Sequence, residues 1–166
     1  MFTGLCIGLI IIITIYFTAK ALFFDDGYIS YEILAGRSGQ KLHIDNVDES
    51  ITDCVLSIIC EAFDINPDDK DKIREQDSVK AIYDSWYENN FLNMDDCELE
   101  RFIGMLQRLI NQEIDNSEAE KYTKMSIGEM IALAARIRNN QPVSDSEKED
   151  ILNGQADIFS TKNSEQ

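Results

Sequence analysis

Four stretches of the chain repeat apolar side chains at the spacing of one helix face. In the first, Ile51, Cys54, Val55, Ile58, Ile59 and Ala62 fall at offsets 0, 3, 4, 7, 8 and 11, which predicts an amphipathic helix over 48–63. Asp48 or Ser50 can cap it, and Pro67 lies just past its end. Val79, Ile82, Tyr83, Trp86 and Tyr87 predict a second helix over 78–89, capped by Asp77 or Ser78 and ended by Asn89-Asn90. Leu99, Phe102, Ile103, Leu106 and Ile110 predict a third over 96–114, with Asp95 and Asp96 at its positive N-terminal end. Ile127, Met130, Ile131 and Ala134 predict a fourth over 127–139, opened by Ser126 and Glu129 at the spacing of a capping box. The sequence has no apolar–polar alternation of period two, so the part beyond the N-terminal run is expected to be all-α.

The N-terminal pattern is different. Met1 to Ala19 carry no charge, and after Lys20 the apolar character resumes through Phe24 and stops at Asp25-Asp26. A helix needs about 20 apolar residues to cross the hydrocarbon core. Residues 3–24 meet that length if Lys20 extends its ammonium to the headgroups, and Tyr16, Phe17, Phe23 and Phe24 suit the interfacial end. A cleaved signal peptide is the competing reading. It would have a basic leader, which is missing, and Ala19-Lys20-Ala21 is a poor cleavage site with lysine inside it and Phe23-Phe24 beyond it. The expected organisation is a transmembrane anchor over 1–24, a connector over 25–46, a helical bundle over 47–140 and a polar, disordered tail over 141–166. Within that tail Ser144 and Glu147 repeat the capping spacing, so a short helix over 145–153 is an open alternative. Lysine and arginine flank the apolar run only on its C-terminal side, which points the body of the protein to the cytoplasm, with a bacterial inner membrane as the expected location.

Charge narrows the partner. Lys and Arg total 15 against 31 Asp and Glu, a formal net charge of −16. Nucleic acid is thereby excluded as the main partner, because phosphate contacts need a basic face. One histidine rules out a multi-histidine metal centre, and the four cysteines form no framework. Cys54, Cys60 and Cys97 are read as buried small apolar residues in a reducing compartment. Between Asp45 and Glu100 stand 17 acids and 4 bases. A local balance that negative can steer a basic protein surface.

The phrase Glu61-Ala62-Phe63-Asp64-Ile65-Asn66-Pro67 closes the first helix. An acidic loop, Asp77-Ser78-Val79, Asp95-Asp96-Cys97-Glu98-Leu99-Glu100 and Met125-Ser126-Ile127-Gly128-Glu129-Met130-Ile131 follow in that order. This arrangement resembles an acyl carrier protein over residues 47–138. The resemblance implies a four-helix bundle that meets its partners through acidic helix faces. It also implies a phosphopantetheine-bearing serine at the start of the recognition helix. Here Asp96 stands at that position, between Asp95 and Cys97, so the carrier site is degenerate. A helix N-terminus favours phosphate, but two aspartates already place negative charge there. Ser78 and Ser85 each follow an aspartate but lie too early in the chain, where they suit a cap and a helix surface.

No other constellation carries chemistry. Asp68-Asp69-Lys70-Asp71 resembles half of a calcium loop but lacks its glycine and its twelfth-position glutamate. Cys97 stands among acids that oppose a thiolate, and His43 has no cysteine or acid–base partner near it in sequence. Neither a catalytic residue, a cofactor nor a metal is therefore expected. The functional expectation is a membrane-tethered, non-enzymatic interaction module. It would hold the bilayer through residues 3–24 and a basic partner through Asp77, Glu88, Asp95, Asp96, Glu98 and Glu100. A true acyl carrier modified on an unrecognised serine is the alternative.

Overall fold

A computed structural model describes residues 31–87 and 97–153. The expected anchor over 1–24 lies outside the described residues. Among those described, no helix is long and apolar enough to cross a membrane. They form six α-helices: α1 (Glu49–Ala62), α2 (Val79–Tyr87), α3 (Cys97–Ile110), α4 (Asn116–Lys124), α5 (Ile127–Ile137) and α6 (Asp145–Asn153). Two 3₁₀ segments, Glu32–Leu34 and Pro67–Lys72, complete them. The described residues contain no strand, and an isolated antiparallel bridge joins Ser78 to Ser126. The fold is all-α, as the periodicity predicts.

The central element is α1, which packs against α3, α5, α6 and the 3₁₀ segment Pro67–Lys72. Its six predicted core positions are all buried, and so are Thr52, Leu56 and Cys60 on a second row. A helix buried on so much of its girth belongs inside a domain rather than on its surface. What remains is a narrow polar row of Ser50, Asp53, Ser57 and Glu61. The Asp48 carboxylate caps the start by accepting from the Ser50 amide. At the other end Asp64 takes a left-handed φ of 49°, and the Ile65 amide donates back to the Cys60 carbonyl at 2.9 Å. That is the Schellman closure, with aspartate in the place glycine usually fills.

The other helices stop and start for equally local reasons. The third predicted helix ends at Ile110 instead of running to 114, because Asn111 turns left-handed at φ 49°. Of its predicted face Phe102, Leu106 and Ile110 are buried and Leu99 and Ile103 partly so, while Met105 and Leu109 are buried beside them without having been predicted. Asp115 then caps α4, accepting from the Ser117 and Glu118 amides. In α5, Ile127, Met130, Ile131 and Ala134 are buried and the Ser126–Glu129 capping box is formed. Val79 and Ile82 of α2 are buried as predicted, while the side chains of Trp86 and Tyr87 lie outside the described residues.

Two expected boundaries need correction. The segment assigned to a connector is part of the domain from Tyr31 onward. Tyr31 and Leu34 are buried, and the Tyr31 hydroxyl donates to the Phe63 carbonyl at 2.5 Å. Within the segment assigned to a disordered tail, residues 141–153 belong to the domain: the alternative helix over 145–153 is α6, packed on α1 and α3, with Val143 and Ile151 buried. The 3₁₀ segment Glu32–Leu34 packs on α2, whereas α6 covers α1 and α3.

Acid should weaken this fold below about pH 4. Hydrogen bonds hold the carboxyls of Asp48, Asp115 and Glu129 below their ordinary range. Burial works against the charge of Asp53, but its bonds to Lys148 and Lys70 outweigh it and lower its pKa as well. A carboxyl with a depressed folded-state pKa contributes stability above its unfolded value, near 4, and loses it as pH falls through the folded value. Thermal melts followed by circular dichroism should therefore hold a level midpoint from pH 7 to about pH 5 and drop between about pH 4 and 2.

Candidate interaction surface

Of the six acids expected to meet a partner, Asp77, Glu98 and Glu100 fall among the described residues. Glu88, Asp95 and Asp96 lie outside the described residues. Asp77, expected on the partner-binding surface, is instead a buried acid. Its side chain is 5% exposed, and its two carboxylate oxygens accept from Arg37 Nη1 at 2.6 Å and Nη2 at 3.1 Å. One of those oxygens also accepts from the Arg74 amide at 2.8 Å. The Asp77 carbonyl takes the Ile127 amide at 2.8 Å, and the neighbouring Glu75 carbonyl takes that of Gly128 at 3.0 Å. Asp77 thus fastens the N-terminal segment, the loop before α2 and the start of α5 to one another. The approach is so close that a Cβ on Gly128 would stand 2.3 Å from Glu75 Cγ.

Glu98 and Glu100 do lie together, on the first turn of α3, with Glu100 exposed and Glu98 half-buried. Cys97 begins the same turn and is exposed, which corrects its reading as a core residue, whereas Cys54 and Cys60 are buried as expected. Burial pushes the Cys54 thiol up to about 11 and the Cys60 thiol up to about 12. Neither is a thiolate at neutral pH, so neither is poised as a nucleophile or a soft metal ligand.

One turn further, Arg101 reaches across to the end of α1. Its Nη2 donates to Glu61 Oε1 at 2.5 Å and its Nη1 to Asp64 Oδ1 at 3.5 Å. Glu61, Asp64 and Arg101 are not among the partner-binding residues expected from the sequence. A signal for them was present, because acids in the last turn of a helix face the negative end of its dipole and call for a cation. The outcome is an acidic margin where α1 ends and α3 begins: Arg101 bonds Glu61 and Asp64, and Glu98 and Glu100 stand on the preceding turn of α3. Tyr31 reports its field. Burial, then the charges of Asp64 and Glu98, raise the phenol well above its ordinary pKa.

Four lysines elsewhere pair with acids of the same domain. Lys41 pairs with Glu49, Lys72 with Asp69, Lys80 with Asp84 and Lys124 with Glu120. The stretch that resembles half a calcium loop is the 3₁₀ segment Pro67–Lys72, with Lys70 turned onto Asp53. Among the described residues no group of three or more histidine, cysteine or acidic side chains could hold a metal ion. His43 is exposed, with Nε2 3.9 Å from Asp45 Oδ1.

The clefts are equally committed. A groove of about 270 Å³ between Lys41, Leu42, Thr52, Asp53, Leu56 and Lys70 has its lysines already paired with acids. A wider one of about 640 Å³ contains Arg108 and Arg138 at the C-terminal ends of α3 and α5. There Arg138 donates to the Leu109 carbonyl at 2.8 Å and to Glu147 at 2.9 Å, which caps α3 and ties down α6. No protein-family model, curated protein or solved structure matches the chain.

Proposed function

We propose that the chain is a membrane-tethered, non-enzymatic protein-interaction module, a carrier-protein-like helical bundle that docks a basic partner. The observation that carries this reading is the margin between α1 and α3. Glu98 and Glu100 stand in the first turn of α3, and Arg101 one turn on bonds Glu61 and Asp64 at the end of α1, which gathers acids of both helices at one margin. Asp95, Asp96 and Glu88 belong to the same reading through their place in the sequence, and Asp77 drops out of it because its charge is spent on Arg37. The order of α1, α2, α3 and α5 supports the likeness to a carrier bundle, and the apolar run over residues 3–24 supports the tether. The location that follows is a bacterial inner membrane with the domain in the cytoplasm.

The carrier alternative fares worse on its two nearest serines. Ser78 Oγ accepts the Ala81 amide at 3.1 Å as a helix cap, and Ser85 Oγ donates to the Ile82 carbonyl at 2.7 Å. Both hydroxyls already have local structural partners.

Membranes carrying the full chain test both halves of the proposal. The protein should stay in the pellet on carbonate extraction, and its release would end the tether reading. Cross-linked partners should be recovered with the wild type at low salt. They should fall away at high salt and with Asp95, Asp96 and Glu100 changed to lysine, since exposed charges act over about 8 Å at physiological ionic strength. Equal recovery under all three conditions would reject the acidic surface.

A further inference from the structure

The C-terminal helix is attached to the domain in an unusual way. Of α6 and its lead-in, only Val143 and Ile151 are buried, with Leu152 partly so. The remaining attachments are polar. Lys148 pairs with Asp53 on α1, Glu147 accepts from Arg138 at 2.9 and 3.3 Å, Arg108 of α3 donates to the Ile151 carbonyl at 3.2 Å, and the Val143 amide donates to Ser50 Oγ at 2.8 Å. Within α6 itself Asp145, Glu147, Glu149 and Asp150 face a single base, Lys148, so the segment is repelled by an already acidic domain.

The connection to α5 has the form of a hinge. Asn139 and Asn140 both turn left-handed at φ 54°, and Pro142 follows. Asn140 Oδ1 holds the base of that hinge by accepting the Asp48 amide at 2.8 Å. Beneath α6 the other helices make their own contacts. Phe102, Met105 and Ile131 are fully buried, and α1, α3 and α5 pack directly on one another.

We propose that α6 with its lead-in is a releasable strap, which opens as a unit about Asn139–Asn140 and uncovers the Ser50–Asp53–Cys54 side of α1 while the rest of the domain stays folded. Segments with few apolar contacts and many exposed polar ones are the ones that open below the global unfolding energy. Cys54 reports the event. It is fully buried, and the charges of Lys148, Arg138 and Glu147 act on its thiol. Cys60 is an internal control, because the charges acting on it come from Lys70, Asp69, Asp53 and Glu61 instead.

The test is peptide-resolved alkylation of the full chain at fixed pH, with iodoacetamide as the probe. Cys54 should react faster than Cys60 in the wild type. Lys148→Gln should speed Cys54 about two- to fivefold, the weight of one partly exposed ion pair. Ile151→Ala should speed it more than about tenfold. Cys60 should keep its wild-type rate in Lys148→Gln, which leaves the apolar anchor in place. If Cys54 and Cys60 react in step in the wild type and in Lys148→Gln, α6 opens only with the whole domain and the strap is overturned. A Cys54 rate unmoved by both substitutions overturns it equally.

Discussion

Asp77→Ala should lower the unfolding free energy by about 3–5 kcal/mol, the usual cost of removing one partner of a buried ion pair. The Asp77 side chain is 5% exposed and that of Arg37 is 26% exposed, so the pair is shielded on the aspartate side and can rehydrate only through the arginine. Alanine would also leave the Arg74 amide without its acceptor. Because the segments that Asp77 joins lie 40 residues apart at Arg37 and about 50 apart at Ile127, the loss is one of tertiary closure rather than of helix content. Urea titration followed by circular dichroism measures it. Combining Arg37→Ala with Asp77→Ala should cost clearly less than the sum of the two, since each alone strands the other's charge. A loss under about 1 kcal/mol would mean that the pair behaves as an ordinary surface bridge.

Much of the helical framework is legible because it rests on local rules. The stripes at Ile51–Ala62 and Ile127–Ala134, the Ser126–Glu129 box and the Asp48 cap are all read within a few residues of one another. α4 is harder. Asn116–Lys124 is polar on most of its surface, and only Ala119, Tyr122 and Thr123 turn inward, so its stripe is too thin to register beside the strong one in α3. Its cap, Asp115 three residues before Glu118, is the signal that could have found it. Asp77 shows where local reading stops. Before an apolar helix an aspartate looks like a cap or a surface acid, and nothing nearby announces that Arg37 will return to neutralise it. The same holds for the surface acids. Arg101, Lys70 and Lys148 come from distant positions to bind Glu61, Asp64 and Asp53, so a count of charge along the chain overstates what a partner would meet.

Fragment boundaries give the second large effect. A piece cut at residues 45 and 140, where the sequence places the bundle, is expected to be at least about 4 kcal/mol less stable than one spanning 31–153. The shorter piece lacks Arg37, which leaves Asp77 buried and uncompensated and alone costs about 3–5 kcal/mol. It also lacks Tyr31, Leu34, Val143 and Ile151, each buried and worth about 1.5–3 kcal/mol relative to exposure. The freedom regained by the deleted backbone belongs to the missing segments and offsets much of that apolar term, but not the stranded aspartate. Asp53 would lose Lys148, Arg138 would lose Glu147, and Ser50 would lose the Val143 amide. Domains of this size carry only about 5–15 kcal/mol in total, so the short piece should be close to its unfolding threshold at 25 °C. Two intermediate fragments separate the causes. One spanning 31–140 keeps Arg37 and should retain most of the stability, because the C-terminal strap is the weaker attachment. One spanning 45–153 loses Arg37 and should fall nearly as far as the shortest piece. Superposable urea curves for all four fragments would show that the ends contribute nothing, and a larger loss from the C-terminal cut than from the N-terminal one would reverse the roles assigned here to Asp77 and α6.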